Sequence, residues 1–237
     1  MEASGYTTLT RQTGLMREMR MVANNIANAA TTGYRSEGLV FSEHVRRTDG
    51  GPSISMARGN TPLTSREQGP LEETGGRFDF AIEGEGYFLI EAPEGERLTR
   101  SGAFSLSANG DLVNADGFRL LDAGGAPVFV PPDATAPGLA PDGTLSSDGR
   151  PLAQLGLYRP VGDAPPIRAG DNLFEARDGL EPVVDGRIMQ GFLEGSNVEP
   201  VSQIARLIEV QRAYEMGQSF LETEDQRMRT ALDTLTR

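Results

Sequence analysis

The C-terminal segment has the most regular spacing of apolar positions in the chain. A large apolar residue recurs at every seventh position, and this spacing predicts a long helix with one apolar seam. These residues are Leu207, Tyr214, Leu221, Met228 and Leu235. The second seam position is held by Val210, Gly217, Glu224 and Ala231. Because Gly217 and Glu224 are poor seam residues, the pattern favours packing in a mixed bundle over a two-stranded zipper.

Two further apolar patterns concern the ends of the chain. Ile204, Ile208 and Phe220 form a second stripe beside the C-terminal seam. The N-terminal segment has seam positions of its own, at Leu9, Met16, Met19, Ala23, Ile26 and Ala30. We expect this N-terminal helix to end near Thr31–Gly33, with Gly33 in the positive-φ conformation of a C-cap. An ordinary amphipathic helix packed on its own domain is the alternative. The body of the chain lies far from both ends in sequence and is β-rich. We therefore favour pairing of the two helices with each other or with neighbouring subunits.

Proline separates these ends from the middle of the chain. All 15 prolines lie between Pro52 and Pro200, so the ends are free to form long helices and the middle is not. In the middle, residues 78–82 alternate between apolar and polar, residues 87–90 are apolar, and Asn109-Gly110 is a strong hairpin signal. We therefore predict an α+β fold, with terminal helices forming a coiled-coil-like layer and a β-rich domain inserted between them.

The predicted organisation has four segments. These are an N-terminal helical assembly segment (1–36), an extended or loop connecting region (37–77), a β-rich domain (78–195) and a C-terminal helical assembly segment (196–237). The net charge of −12 follows the same division. Residues 1–36 carry +2 and residues 197–237 carry −2, so the middle carries the whole excess of acid. This balance argues against nucleic acid and anionic membrane surfaces as partners.

The residue types present leave little room for catalysis or metal binding. The chain has no cysteine and a single histidine, His44, which excludes disulfides, thiolate metal sites and cysteine nucleophiles. Acidic residues are plentiful, but no spacing distinguishes a general acid and base pair. A Ca²⁺ loop at 109–117 lacks the regular oxygen ligands of an EF-hand. We expect no catalytic residue, no metal and no cofactor.

The chain shows no segment typical of membrane insertion or Sec export. No run approaches 18 apolar residues, and residues 1–21 lack the apolar core and cleavage site of a signal peptide. We therefore expect no membrane insertion, and export, if it occurs, by another route.

Three asparagines interrupt the N-terminal helical pattern. Asn25 and Asn28 are three positions apart and so share one helical face, and Asn24 and Asn28 are four positions apart. Asparagine is unfavourable inside helices because its side chain competes for backbone groups. Amides on one face bond across to a neighbouring helix and fix its register. A solvated, frayed helix end before Gly33 is the alternative interpretation.

These asparagines belong to a longer run that resembles a known family. Residues 23–35, Ala-Asn-Asn-Ile-Ala-Asn-Ala-Ala-Thr-Thr-Gly-Tyr-Arg, are similar to the N-terminal signature of the flagellar rod and hook axial proteins. Further matches occur in the family's order. They are 68–71, 100–104, 110–113, Gly195-Ser196-Asn197-Val198 and Gln211-Arg212-Ala213-Tyr214-Glu215. The length resembles the two intermediate rod proteins, and the C-terminal stretch is more like the proximal member than the distal one.

The resemblance implies a structural role in the flagellar basal body. In this family the terminal helices pack as the inner layer of a tube that crosses the periplasm as drive shaft and export channel. Its subunits leave the cytoplasm unfolded through the flagellar type III export apparatus. The partners implied are this apparatus, other flagellar rod proteins and further copies of the chain. A cell-wall-acting enzyme and a soluble adaptor with helical arms are the alternatives from other classes.

The resemblance and the apolar seams together predict an assembly interface along both terminal segments. The residues expected there are Leu9, Met16, Met19, Ala23, Asn24, Asn25, Ile26, Asn28, Thr31, Thr32, Gly33, Tyr34, Ser196, Asn197, Val198, Ile204, Leu207, Ile208, Gln211, Arg212, Tyr214, Leu221, Met228 and Leu235.

Overall fold

The computed structural model describes residues 2–46, 54–162, 165–170 and 172–235. A long helix lies at each end of the chain, α1 at Glu2–Ala27 and α2 at Pro200–Leu235, and all the strands lie between them. This is the predicted α+β class. The strands are β1 (Glu37–Arg46), β2 (Ile54–Thr64), β3 (Leu71–Glu73), β4 (Phe80–Glu83), β5 (Phe88–Ala92), β6 (Gly95–Thr99), β7 (Ser105–Leu106), β8 (Leu112–Val113), β9 (Arg119–Leu120), β10 (Gly138–Leu139), β11 (Thr144–Ser147), β12 (Arg150–Gln154), β13 (Tyr158–Pro160), β14 (Ile167–Arg168), β15 (Leu173–Glu175), β16 (Leu180–Pro182), β17 (Arg187–Gln190) and β18 (Phe192–Glu194).

The chain divides into two compact units. The helical unit contains Met1–Ala27, Glu37–Leu63 and Glu199–Arg237, and the β-rich unit contains Asn28–Ser36 and Thr64–Val198. The helical unit therefore holds α1, α2 and most of the two-stranded β1–β2 sheet. Strands β1 and β2 fall in the segment that the sequence interpreted as an extended or loop connection. Side chains are not described for residues 40–62, which include His44.

The β-rich unit is a set of small antiparallel sheets around one larger sheet. Seven strands pair in the order β14-β15-β6-β5-β9-β8-β7, and the other sheets have two or three strands. The predicted hairpin at Asn109-Gly110 is confirmed, because β7 pairs with β8 and Gly110 has φ 90°. Strands β4 and β5 each bury three consecutive residues, and Phe80, Phe88 and Leu112 lie in the core with none of their surface exposed. The Phe88 and Phe104 rings meet edge to face, 5.7 Å apart.

The N-terminal helix ends earlier than predicted. The sequence placed its end near Thr31–Gly33, whereas α1 ends at Ala27 and residues 28–30 form a turn. The chain leaves the helix here because Asn28 and Thr31 bond each other, through both Thr31 N to Asn28 O and the two side chains. Gly33 nevertheless has the positive φ expected, 67°. In the described ranges, neither helix is apolar enough over sufficient length to cross a membrane.

Candidate assembly interface

Helices α1 and α2 pack side by side through a ladder of polar contacts. Gln12 Nε2 donates to the Tyr214 carbonyl at 2.9 Å, and Arg206 Nε donates to Glu18 Oε1 at 2.7 Å. Because higher-numbered residues of α1 meet lower-numbered residues of α2, the two helices run antiparallel. The Glu18 side chain is buried and Arg206 is half exposed. This ion pair raises the pKa of Arg206, chiefly through the hydrogen bond to Glu18.

The predicted C-terminal seam faces α1 of the same chain. Val210 is 2% exposed, and Leu207, Tyr214 and Leu221 are half buried. The seam becomes exposed toward the end of α2, where Met228 is 50% exposed. The side chain of Leu235 lies outside the described residues. The apolar repeat therefore finds part of its partner surface within a single chain, as one of the two expected pairings.

A contact with the other helix, rather than the heptad spacing, explains why glycine stands at position 217 of the seam. A β-carbon at Gly217 would fall on Nε2 of Gln12, so the missing side chain makes room for the glutamine. Gln12 is buried, and its Nε2 occupies this space while it bonds Tyr214 O. The Gln12 Oε1 atom is buried and has no hydrogen-bond partner among the described residues. Glu224, the other weak seam residue, is half buried and pairs with Arg227 at 2.8 Å.

Asn25 crosses from α1 to the other helix. Its Nδ2 donates to Gln203 Oε1 at 3.2 Å and to the Glu37 carbonyl at 2.9 Å, and its Oδ1 accepts from the Glu37 N–H at 3.0 Å. It is 1% exposed. The side chain thus holds α2 and the first residue of β1 at once. Asn24 is exposed, and Asn28 lies beyond the end of α1.

The remaining predicted residues of the two helices lie mostly at their surface. On α1, Leu9 and Ala23 are exposed, while Met16, Met19 and Ile26 are half buried. On α2, the second stripe stays open to solvent: Ile204 is 48% exposed, Ile208 45% and Phe220 44%. Gln211 and Arg212 are also exposed. Exposed apolar side chains that lie next to each other, as Ile204 and Ile208 do on successive turns, are typical of a surface that binds another protein.

The two sequence signatures that flank the helices meet inside the β-rich unit. Asn197 Oδ1 accepts from the Ser36 N–H at 2.6 Å, and the Asn197 N–H donates to the Tyr34 carbonyl at 3.3 Å. The Thr32 carbonyl accepts from Asn172 Nδ2 at 2.8 Å. Buried Ser196 caps its own turn, since its hydroxyl accepts from the Val198 N–H at 3.2 Å. Within one chain, Asn197 therefore holds Tyr34 and Ser36, and Asn172 holds Thr32.

A buried charge cluster stands at this meeting point. Glu194 Oε1 lies 2.7 Å from Arg35 Nη2, and Glu194 Oε2 lies 3.1 Å from Arg100 Nη1. None of the three side chains is more than 4% exposed. Glu194 also accepts from the Gly69 N–H, and its carbonyl accepts from the Gly33 N–H. Burial, together with the charge of Arg100, lowers the pKa of Arg35, and Glu194 acts in the opposite direction.

The sequence interpretation did not single out this cluster. Arg35 and Arg100 occurred only as members of the family motifs, and Glu194 directly precedes one of them. No local spacing relates residues so far apart along the chain. The one available signal was that both arginines and the glutamate lie in or beside quoted motifs.

Comparison with known proteins places this architecture in a family. The C-terminal model of flagellar basal body rod FlgEFG proteins matches residues 189–234, the flagellar hook protein FlgE/F/G D1 domain matches 81–147, and the flagella basal body rod protein model matches 6–35. The flagellar basal-body rod protein FlgF of Caulobacter vibrioides is 36% identical over 99% of this chain and 98% of its own. The chain belongs to the flagellar basal-body rod protein family.

Other members of the rod family support the same conclusion. FlgF of Mesorhizobium japonicum is 40% identical over 91% of this chain and 90% of its own, and FlgG of Agrobacterium fabrum is 33% identical over 88% and 90%. The resemblance to the FlgF group and the role of structural rod subunit are thus confirmed, and the enzyme alternative is set aside. The matched range 6–35 covers most of α1 and the residues that follow it up to Arg35, and the range 189–234 covers the end of β17, β18 and nearly all of α2.

Proposed function

We propose that this chain is a subunit of the proximal part of the flagellar rod, built into a tube through its helical unit. The tube serves as drive shaft and export channel, crosses the periplasm and contains further copies of this chain and other rod proteins. Full-length similarity to FlgF proteins supports the proximal assignment. Subunits reach the rod unfolded through the flagellar type III export apparatus.

One observation carries the proposal for the helices. After α1 and α2 have paired, Ile204, Ile208 and Phe220 still expose almost half of their surface on a single helix. Leaving such side chains in water has a cost of about 25 cal/mol per Å² of apolar surface, which burial against a neighbour removes. The pairing within one chain therefore organises a surface that further subunits cover.

The experiment replaces the chromosomal gene with a charge variant on this surface. Ile208→Asp places a carboxylate where a neighbour would bury it, and an unpaired buried charge is strongly unfavourable. We expect basal bodies isolated from this strain to lack the chain and the cells to lose motility. Thr223→Asp is the matched control, since it adds the same charge at an exposed polar position of α2. Normal incorporation of Ile208→Asp would contradict the proposal.

A further inference from the structure

A second apolar surface lies on the other flank of α2, at the seam with α1. A groove of about 350 Å³ opens between the two helices, and Leu15, Ala213, Met216 and Phe220 line it together with Gly217. Met216 is 67% exposed. Gly217 contributes no side chain to the groove, and Nε2 of Gln12 occupies the place of its missing β-carbon. It continues the apolar interface that already joins α1 to α2.

The same helix presents an apolar ridge at a different height and on a different face. The ridge consists of Val201, Ile204 and Ile208, spaced three and four residues apart, and all three are exposed. At about 100° per residue, Ile204 at the centre of the ridge points about 120° away from Met216 and about 160° away from Phe220. Residues 204 and 216 are separated by about 18 Å along the helix axis. Ridge and groove can therefore be occupied at the same time by two different molecules.

We infer that the groove of one subunit receives the Val201–Ile204–Ile208 ridge of a second copy of this chain. The inference rests on the proposed function and specifies the partner surface of the same helices. A contact between two different patches of identical chains is heterologous, and heterologous contacts that do not close generate a helical assembly. Thr8, Arg11 and Gln12 of α1 also line the groove, but most of its exposed lining is apolar, which suits a ridge of branched aliphatic side chains. The groove also continues an interface already formed within the chain, so the arriving ridge extends the packing between α1 and α2.

The absence of cysteine from the chain makes the contact directly testable by disulfide trapping. The full-length variant carrying both Ile204→Cys and Met216→Cys replaces the chromosomal copy, and isolated basal bodies are oxidised. A disulfide forms only where the two Cα atoms come within about 7 Å, and the separation of about 18 Å prevents a link within one helix. We expect a ladder of linked chains from the double variant and unlinked chains from each single variant.

Three results would overturn the inference. A disulfide between two Ile204→Cys single variants would show a symmetric contact of the ridge with itself. If the double variant is present in basal bodies but stays unlinked, the ridge and the groove do not meet, while the proposed rod function stands. Absence of the wild-type chain from basal bodies would contradict both the ridge–groove contact and the proposed rod function. The matched control is Gln218→Cys with Thr230→Cys, an exposed pair at the same spacing on α2 but outside both surfaces, which should stay unlinked.

Discussion

Glu194 is the residue on which the charged interior of the β-rich unit depends. Its carboxylate is 1% exposed and lies between the guanidinium groups of Arg35 and Arg100. Two buried cations therefore share one anion. Arg100 gains further support from the Gly84 carbonyl, at 2.7 Å, and from the face of the Tyr87 ring. Without the anion, two like charges would face each other away from water, where such repulsion is strong.

Glu194→Gln tests this dependence with little change in shape. We expect the free energy of unfolding of the β-rich unit to fall by about 3–5 kcal/mol, because the variant leaves buried charge uncompensated. Urea denaturation of the full-length chain, monitored by amide exchange in β5, measures the decrease in the free energy of unfolding. Glu91→Gln is the control, because Glu91 pairs with Arg119 at the surface and such pairs contribute less than about 1 kcal/mol. Equal losses in the two variants would show that burial of the cluster has no special importance.

At the scale of elements, the sequence predicted what short-range patterns determine. The proline-free ends and the heptad spacing located both helices, and Asn109-Gly110 located a hairpin. Each of these signals can be read from residues that are close together in the sequence. The seam fit of Gly217 depends on Gln12, a residue of the other helix, and the end of α1 depends on the bonds between Asn28 and Thr31. The Glu194 cluster joins residues from three distant parts of the chain. Tertiary contacts of this kind leave no local periodicity.

A double-mutant cycle measures the coupling between Gln12 and Gly217. Glycine in a helix interior is about 1 kcal/mol less favourable than alanine, so Gly217→Ala should stabilise the helical unit wherever Gln12 does not need the space. We expect a gain of about 0.5–1 kcal/mol from Gly217→Ala in the Gln12→Ala background. In the wild-type background the gain should be smaller or reversed, since the new methyl displaces Gln12 Nε2 from the Tyr214 carbonyl. Helical ellipticity during urea unfolding provides the free energies.

The coupling has a clear control and a clear contrary outcome. Ser219→Ala changes an exposed position of the same helix, two residues beyond Gly217. Its effect should be the same with or without Gln12. A coupling energy of at least about 0.5 kcal/mol is expected for residues in contact. If the effects of Gly217→Ala and Gln12→Ala simply add, then Gly217 does not shape the helix interface through Gln12.

For the whole molecule, the two units differ in how much apolar surface they bury. Among residues whose burial is described, the helical unit has Val22 and Val210 as its apolar side chains below one-tenth exposure. The β-rich unit contains a large cluster with Phe80 and Phe88 fully buried, and a second cluster with Phe174 fully buried. Stability varies across a structure with such differences in buried apolar contacts. The α1–α2 pairing should therefore open at a lower free energy than the β-rich core.

Hydrogen exchange on the free and incorporated chain tests this difference. In the dilute free chain, we expect amides of α1 and α2 to exchange faster than those of β5 and β6, because the helices open without unfolding of the β-rich core. In isolated basal bodies, the helix amides should become protected, since neighbouring subunits cover the exposed ridge and groove. The β5 and β6 amides serve as the internal reference, and their exchange should change little. Equal protection of helices and core in the free chain would mean that the helical unit needs no neighbour for its stability.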